Sequence, residues 1–263
     1  MTVLNVYMKD AVLVAQFNRE KPVNPLNREL QTAIVETCQF AESEPAVKAI
    51  VLTGGVRRSF CVGDDFREAR ARTQADVEEL VDRVTWLCVA ILSVTKPVVA
   101  GIDGYAIGGG LQIALCCDLR VGTKNTKVLG WELKHGIGYP VGAYMLEKSL
   151  GRAAMSDIIF GCEVVPADWA ARYRLFHELA NPSDVVEKAV SRAAVLATYP
   201  EVSYRRTKAA VNRSFVSGLK ELMPIAKKIH VDCFLSGAAD AHLAKVLRDG
   251  GRTSGKKHWN DHV

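Results

Sequence analysis

Three features of the sequence predict an α/β fold with a helical C-terminal region. Two continuous apolar runs, Ala49–Gly54 and Pro97–Ile102, each end at a glycine. Runs of this kind suit strands buried on both faces of a parallel sheet. Between them, Val77 to Val94 carries apolar residues at helical spacing, and beyond about residue 140 the pattern becomes mostly helical.

In chain order, Val3–Tyr7 and Ala11–Phe17 read as two short strands joined by a turn at Lys9 and Asp10. Asn24-Pro25 reads as a helix start, with asparagine as cap and proline at the first helical position. Leu26, Leu30, Ala33, Ile34, Cys38 and Ala41 continue at helical spacing towards Pro45. After the second buried run, Leu111–Cys117 reads as a short apolar helix, and Leu119–Gly122 and Lys127–Leu129 as strands. The helices expected beyond are Ala143–Leu150, Ala153–Phe160, Pro166–Tyr173, Pro182–Thr198, Tyr204–Ser217, Leu219–Ser236 and Ala239–Arg248. No internal repeat or low-complexity linker interrupts the chain.

The totals narrow the function classes. The 263 residues are 49% hydrophobic and 24% charged, a globular balance with enough apolar material for a core. A formal charge of +5 with scattered basic residues argues against nucleic acid and suits a small acidic ligand. The one dense basic cluster, Lys256, Lys257 and His258, lies in a polar tail read as a frayed terminus. The seven cysteines include no CxxC pair and sit mostly among apolar residues, which points to reduced thiols and away from zinc. No basic-then-apolar leader and no run of membrane-span length is present, so the expectation is a soluble cytoplasmic protein with no membrane partner.

The chemistry concentrates in two turns that follow the two buried strands. The first holds Arg58-Ser59-Phe60-Cys61-Val62-Gly63-Asp64-Asp65-Phe66, and the second Gly104 to Gln112 with three consecutive glycines at 108–110. Glycine allows a backbone to approach a ligand closely, and a helix N-terminus presents unpaired N–H groups with partial positive charge. Together they suit an oxygen that gains negative charge. A turn required only for tight strand–helix packing would look the same. The spacing matches neither GxGxxG nor a P-loop.

Taken together, IDGYAIGGGLQIALCCDLR and RSFCVGDDF resemble the two motifs of the crotonase (enoyl-CoA hydratase/isomerase) superfamily, and the resemblance extends over roughly residues 10 to 250. It implies a ClpP-like spiral core of ββα units over 1–195 and a C-terminal helical region over 196–263 through which the chain assembles as a homotrimer or hexamer. It also implies that one backbone N–H from each turn, those of Asp64 and Gly109, grips a thioester carbonyl. Asp64 departs from the small residue usual there, and the role of its side chain is left open. Of the two glutamates that hydratases carry, the first position holds Gln112, whose amide cannot exchange protons at neutral pH. The second is retained as Glu132, the implied acid–base residue. The run Glu132-Leu133-Lys134-His135-Gly136-Ile137-Gly138 is further similar to the carboxymethylproline synthases of carbapenem biosynthesis. Two positions depart from that subfamily: Gly109, where it can carry methionine, and Leu80, where tryptophan is expected.

From this resemblance Gln112, His230, Trp131 and Leu80 are expected to bind substrate. Lys21, Pro22, Val23, Val62 and Gly108 are expected to meet coenzyme A. By spacing alone, Trp131 and His230 also fit ordinary packing, and Lys21 an exposed lysine. His135 reads as a loop residue; His177, His242 and His262 carry no motif. The implied substrates are malonyl-CoA and a small amino-acid-derived electrophile such as pyrroline-5-carboxylate. No metal and no cofactor other than the thioester itself is implied. Enoyl-CoA isomerisation or hydration, or acyl-thioester decarboxylation, fits the same frame. A non-catalytic acyl-CoA binder is disfavoured by Glu132.

Overall fold

The computed structural model describes residues 2–65, 68 and 73–237. The helix expected over Ala239–Arg248, the basic tail, His242, His262 and Phe66 lie outside them.

Strand β1 (Leu4–Lys9) turns at Asp10, whose φ is 51°, and pairs antiparallel with β2 (Val12–Phe17). The buried runs form β3 (Ala49–Thr53) and β4 (Val98–Gly101), parallel to β2 and to each other. β5 (Tyr105–Ile107) begins a second sheet with β7 (Lys127–Leu129) and β8 (Val165–Pro166), while β6 (Leu119–Thr123) and β9 (Glu178–Ala180) complete the first in the order β1-β2-β3-β4-β6-β9.

The chain steps repeatedly between these two sheets. β3 leads to Cys61, which bridges to Ala106 of β5, and then to α2 (Gln74–Ser93). β4 leads to β5 and then α3 (Gly109–Cys116), and β6 leads to β7. This repeated β-β-helix step is the expected spiral. All eight residues of α3 are buried, as a helix apolar on every side requires. One face of the first sheet packs Val14, Val51, Val99 and Val121 against α7 (Val185–Ala197). The other face carries the main core, with Phe17, Ile50 and Leu52 against α1 (Arg28–Ser43), α2 and α3.

Two expectations are corrected. The first helix begins at Arg28, and its cap is Asn27, whose side chain accepts the N–H of Leu30 at 3.0 Å. Asn24 is held instead in a left-handed conformation (φ 51°), fully buried. Its amide donates to the Ser59 carbonyl at 2.7 Å and accepts from the Arg19 N–H at 3.2 Å, which ties the chain before α1 to the first glycine turn. The second correction concerns the two helices expected on either side of Gly218. They form one helix, α8 (Glu201–Leu235), running through both Gly218 and Pro224. Gly218 marks a close approach rather than a break, since a methyl group there would lie 2.1 Å from the Tyr144 hydroxyl. α8 is pinned by Lys208, whose ammonium donates to Asp118 at 2.7 Å and to the Lys96 carbonyl at 2.8 Å. The short strands β5, β8 and β9 have two or three residues each, too few for a periodic signal.

Asn24→Ala removes buried hydrogen bonds and leaves alanine at a left-handed position. We expect it to lower stability by about 2–4 kcal/mol in denaturant unfolding; a loss within measurement error would contradict the anchoring role.

Candidate active site

The two glycine turns meet backbone to backbone. Phe60 and Cys61 donate N–H bonds to Asp103 and Tyr105 at 2.9 and 3.0 Å, and Ile107 returns one to Cys61 at 3.0 Å. A methyl group on Gly110 would lie 2.3 Å from the Cys61 carbonyl oxygen, so only glycine permits this crossing. Gly63 (φ +82°) abuts the second turn, where its missing side chain would stand 3.0 Å from the Ile107 oxygen and 3.3 Å from the Gly109 nitrogen.

Asp64 is therefore delivered beside Gly109. Leu26 receives the N–H of Asp65 at 3.0 Å and donates to the carbonyl of Gly63 at 2.8 Å. Alternate peptide groups of an extended segment point to opposite sides, so the Asp64 N–H faces away from Leu26. Gly109 is the first residue of α3, where an N–H has no partner within the helix and carries part of its dipole. Among the described residues, neither N–H is engaged in a loop or turn backbone hydrogen bond.

Glu132 opens a 3-10 turn over Glu132–His135, closed by Gly136 at φ 70°. Its Oε1 lies against Gly108, where a methyl group would be 2.4 Å away; the φ of +52° at Gly108 independently requires glycine. Its Oε2 is shut off from solvent with no hydrogen-bond partner among the described residues. Burial pushes the carboxyl up to about 8; the backbone N–H groups of Glu132 and Trp131 oppose this, and the Asp64 charge adds to it.

Asp64 is half-buried. Its Oδ1 is buried without a partner among the described residues. Burial raises this carboxyl to about 6, against the attraction of Arg83 on α2 and with a smaller push from Asp65. Gln112 is buried on α3, with its carbonyl oxygen also unpartnered among the described residues.

Tyr139 was given no role by the sequence reading. Its hydroxyl donates to the Gly108 carbonyl at 2.8 Å, which also accepts the backbone N–H of Gln112 at 3.0 Å. Burial, followed by the Glu132 charge, raises the phenol far above its ordinary value. The available signal was Tyr139-Pro140 followed by Gly142: the proline starts α4 (Pro140–Leu150), and Gly142 leaves room for the tyrosine ring, 2.2 Å from a methyl group placed there.

The other expected residues fall as follows. Lys21-Pro22-Val23 and Val62 come together, with Val62 donating to Val23 at 3.2 Å and Ser59 to Pro22 at 3.0 Å. Lys21 is exposed. Gly108 has both its N–H and its carbonyl engaged within the protein, by Leu129 at 3.2 Å and by Tyr139 and Gln112. Leu80 packs with Val77 and Phe234, against Ile137 beyond the Glu132 turn, and so joins α2 and α8 at the site's edge. His230 on α8 bonds the Ala226 carbonyl through Nδ1 at 2.7 Å, and burial lowers its basicity. A carbonyl can only accept, so Nδ1 carries the proton. The Trp131 indole donates to the Cys162 carbonyl at 3.2 Å and its ring meets the edge of His135. Among the described residues, no cluster of His, Cys, Asp and Glu could hold a metal ion, and no helix is long and apolar enough to cross a membrane.

Comparison with known proteins agrees with this geometry. The family model for enoyl-CoA hydratase/isomerase matches residues 7–241. A carboxymethylproline synthase of Pectobacterium carotovorum is 36% identical over 239 residues, 90% of this chain and 96% of that one. An (E)-benzylidenesuccinyl-CoA hydratase of Thauera aromatica is 30% identical, covering 76% of this chain and 78% of that one. Among solved structures, ThnE from S. clavuligerus superposes with a TM-score of 0.75 at 29% identity, covering 86% of this chain and all of that one.

Because the Glu132 carboxyl is raised above its ordinary 4.5, folding favours its protonated form. The stability it contributes is complete below about pH 4.5 and is lost as pH rises through about 8. Glu132→Gln, neutral at every pH, is expected to be more stable than the wild type by ~2–4 kcal/mol near pH 9 and to match it near pH 4. Paired melting curves across that range test this, and a pH-independent difference would contradict the burial of the carboxyl.

Proposed function

The chain belongs to the enoyl-CoA hydratase/isomerase family, and from that membership we propose that it is a carboxymethylproline synthase-like enzyme. Malonyl-CoA binds with its thioester oxygen between the N–H groups of Asp64 and Gly109. Loss of CO2 leaves an enolate, which the two donors stabilise. The enolate carbon attacks a cyclic imine of the pyrroline-5-carboxylate type, and hydrolysis of the thioester releases coenzyme A. The observation that carries this reading is the meeting of the two turns, with both N–H groups unengaged and the Glu132 carboxyl set against Gly108.

The state of Glu132 gives it two roles in succession. At neutral pH, with a value of about 8, it enters the reaction protonated. It therefore adds no charge against the malonyl carboxylate or the enolate. As the carbon–carbon bond forms, the proton of Glu132 passes to the imine nitrogen. The resulting carboxylate takes a proton from the water that attacks the thioester carbon. The carbon–sulfur bond then breaks, and the thiolate takes the proton of the new carboxylic acid. Tyr139 and Gln112 hold the second turn from behind, through Gly108. In the same proposal, Lys21 to Val23 and Val62 flank the coenzyme, Leu80, Trp131 and His230 border the second substrate, and residues 196–263 build a homotrimer or hexamer.

A second reading is favoured by a specific observation: Glu132 and Asp64 are both half-buried carboxyls with one oxygen each shut off from solvent, although Gln112 replaces one of the usual glutamates. Enoyl-CoA hydration or isomerisation is the reaction that this pair also suits.

Incubation with malonyl-CoA and glutamate semialdehyde, followed by mass spectrometry, is expected to yield a carboxymethylproline; its absence alongside turnover of crotonyl-CoA would select the second reading. Gly109→Pro removes the oxyanion donor and sets the ring Cδ where the N–H pointed, at a first helical position that tolerates proline, with the flexible Leu26 side chain nearest to the added Cβ. It should lower kcat by about 10²–10³-fold with little change in melting temperature, whereas Gly109→Ala should retain most activity.

A further inference from the structure

The Gly108 carbonyl and the Gly109 N–H are the two ends of one planar peptide, so whatever grips the carbonyl also aims the N–H. Glycine stands on both sides of this peptide, with φ 52° and ψ −120° at Gly108, and no side chain of its own limits its rotation. Its orientation therefore depends on the hydrogen bonds that its carbonyl accepts. One comes from the N–H of Gln112, within α3, at 3.0 Å. The other comes from the Tyr139 hydroxyl at 2.8 Å, across 31 positions of the chain.

Tyr139 is itself held firmly. Its side chain is buried, and its ring lies over Gly142, where a methyl group would stand 2.2 Å from Cζ. Pro140 starts α4 directly after it. The same short segment begins at Glu132, where the Ile137 N–H returns to the Glu132 carbonyl at 2.8 Å. Glu132 Oε1 lies against Gly108 as well, so one segment sets a carboxyl beside this glycine and a hydroxyl on its carbonyl. Burial raises the phenol far above its ordinary value, so the hydroxyl keeps its proton and donates throughout the neutral range.

We propose that Tyr139 is a positioning residue whose hydroxyl, by holding the Gly108 carbonyl, sets both the aim and the donor strength of the Gly109 N–H. The aim follows from the planarity of the shared peptide. The strength follows because a hydrogen bond to a carbonyl polarises the peptide and leaves its N–H more positive. The inference rests on the oxyanion role proposed above for that N–H, whichever thioester reacts. An oxyanion donor worth about 10²–10³-fold in kcat, strengthened by roughly 10–30% through such a neighbouring bond, corresponds to about 2- to 8-fold.

The test compares full-length wild type with Tyr139→Phe, which removes the hydroxyl alone and leaves the Gly108 carbonyl its bond from Gln112. Turnover of malonyl-CoA is expected to fall about 2- to 8-fold in kcat with little change in KM. In a Gly109→Pro background, where the N–H is absent, adding Tyr139→Phe should cost nothing further. An equal loss in both backgrounds overturns the proposal, because a merely structural role would be additive. A second readout needs no turnover: the infrared carbonyl band of bound acetyl-CoA, labelled with carbon-13 at the thioester carbon. In the wild type the band should lie below that of free acetyl-CoA, and in Tyr139→Phe it should return part of the way. A band that Tyr139→Phe leaves in place overturns the proposal. A band that shifts as expected while malonyl-CoA is not consumed upholds it and refutes only the substrate assignment. Should Tyr139→Phe fail to fold, 3-fluorotyrosine at 139 keeps the ring and makes the hydroxyl a stronger donor. It must then lower the band further, and no movement overturns the proposal.

Discussion

The site depends on one contact, the backbone-to-backbone meeting of the two glycine turns. Gly110 lets the Cys61 carbonyl cross at a distance no side chain would permit, and Gly63 rests on the Gly108–Gly109 backbone. Neither turn could provide the arrangement alone. The Asp64 N–H is oriented by pairing of its neighbours with Leu26, and the Gly109 N–H by the start of α3. The rest of the fold serves to hold these two segments in register. β3 and β4 lie side by side in the sheet, so the turns that follow them emerge at the same end. Asn24 and Tyr139 then fasten one turn each from outside. Donors held in this way need no reorganisation when negative charge develops between them.

The same closeness explains the electrostatics. Excluding water strengthens the attraction of two N–H groups for an oxyanion, but it also penalises every carboxylate in the cavity. Glu132 and Asp64 are both displaced upward chiefly by burial, with no direct ion pair to either among the described residues. Such groups destabilise the folded protein when both are charged. Carboxyls perturbed in this way mark a candidate functional site.

Much of this was legible in the sequence. The buried runs at 49–54 and 97–102, the hairpin at Asp10 and the apolar helix after the glycines were readable because each follows from local pattern alone. The motifs also marked the two glycine turns, which the structure brings into backbone contact. What was not legible depended on contacts distant in sequence. Asn24 looked like a helix cap because the sequence does not reveal that Ser59 comes within reach of its amide. Gly218 looked like a break because nothing local announces that Tyr144 packs there. The course of the backbone at Asp64 was hidden for the same reason, because it is set by pairing with Leu26, nearly forty positions earlier. The strands β5, β8 and β9 were invisible because pairing partners, rather than composition, define them.

Gln112 can be understood from the same balance. A glutamate there would add a third carboxyl to a cavity that already holds Asp64 and Glu132 with an unpartnered oxygen each. A further acid in the same surroundings would need a further proton or cation to be tolerated there. The neutral amide occupies the same volume without adding charge, and the backbone N–H of Gln112 joins the Tyr139 hydroxyl on the Gly108 carbonyl. Position 112 therefore supports the second turn through its main chain whatever its side chain, which leaves the side chain free to change without loosening the contact between the turns.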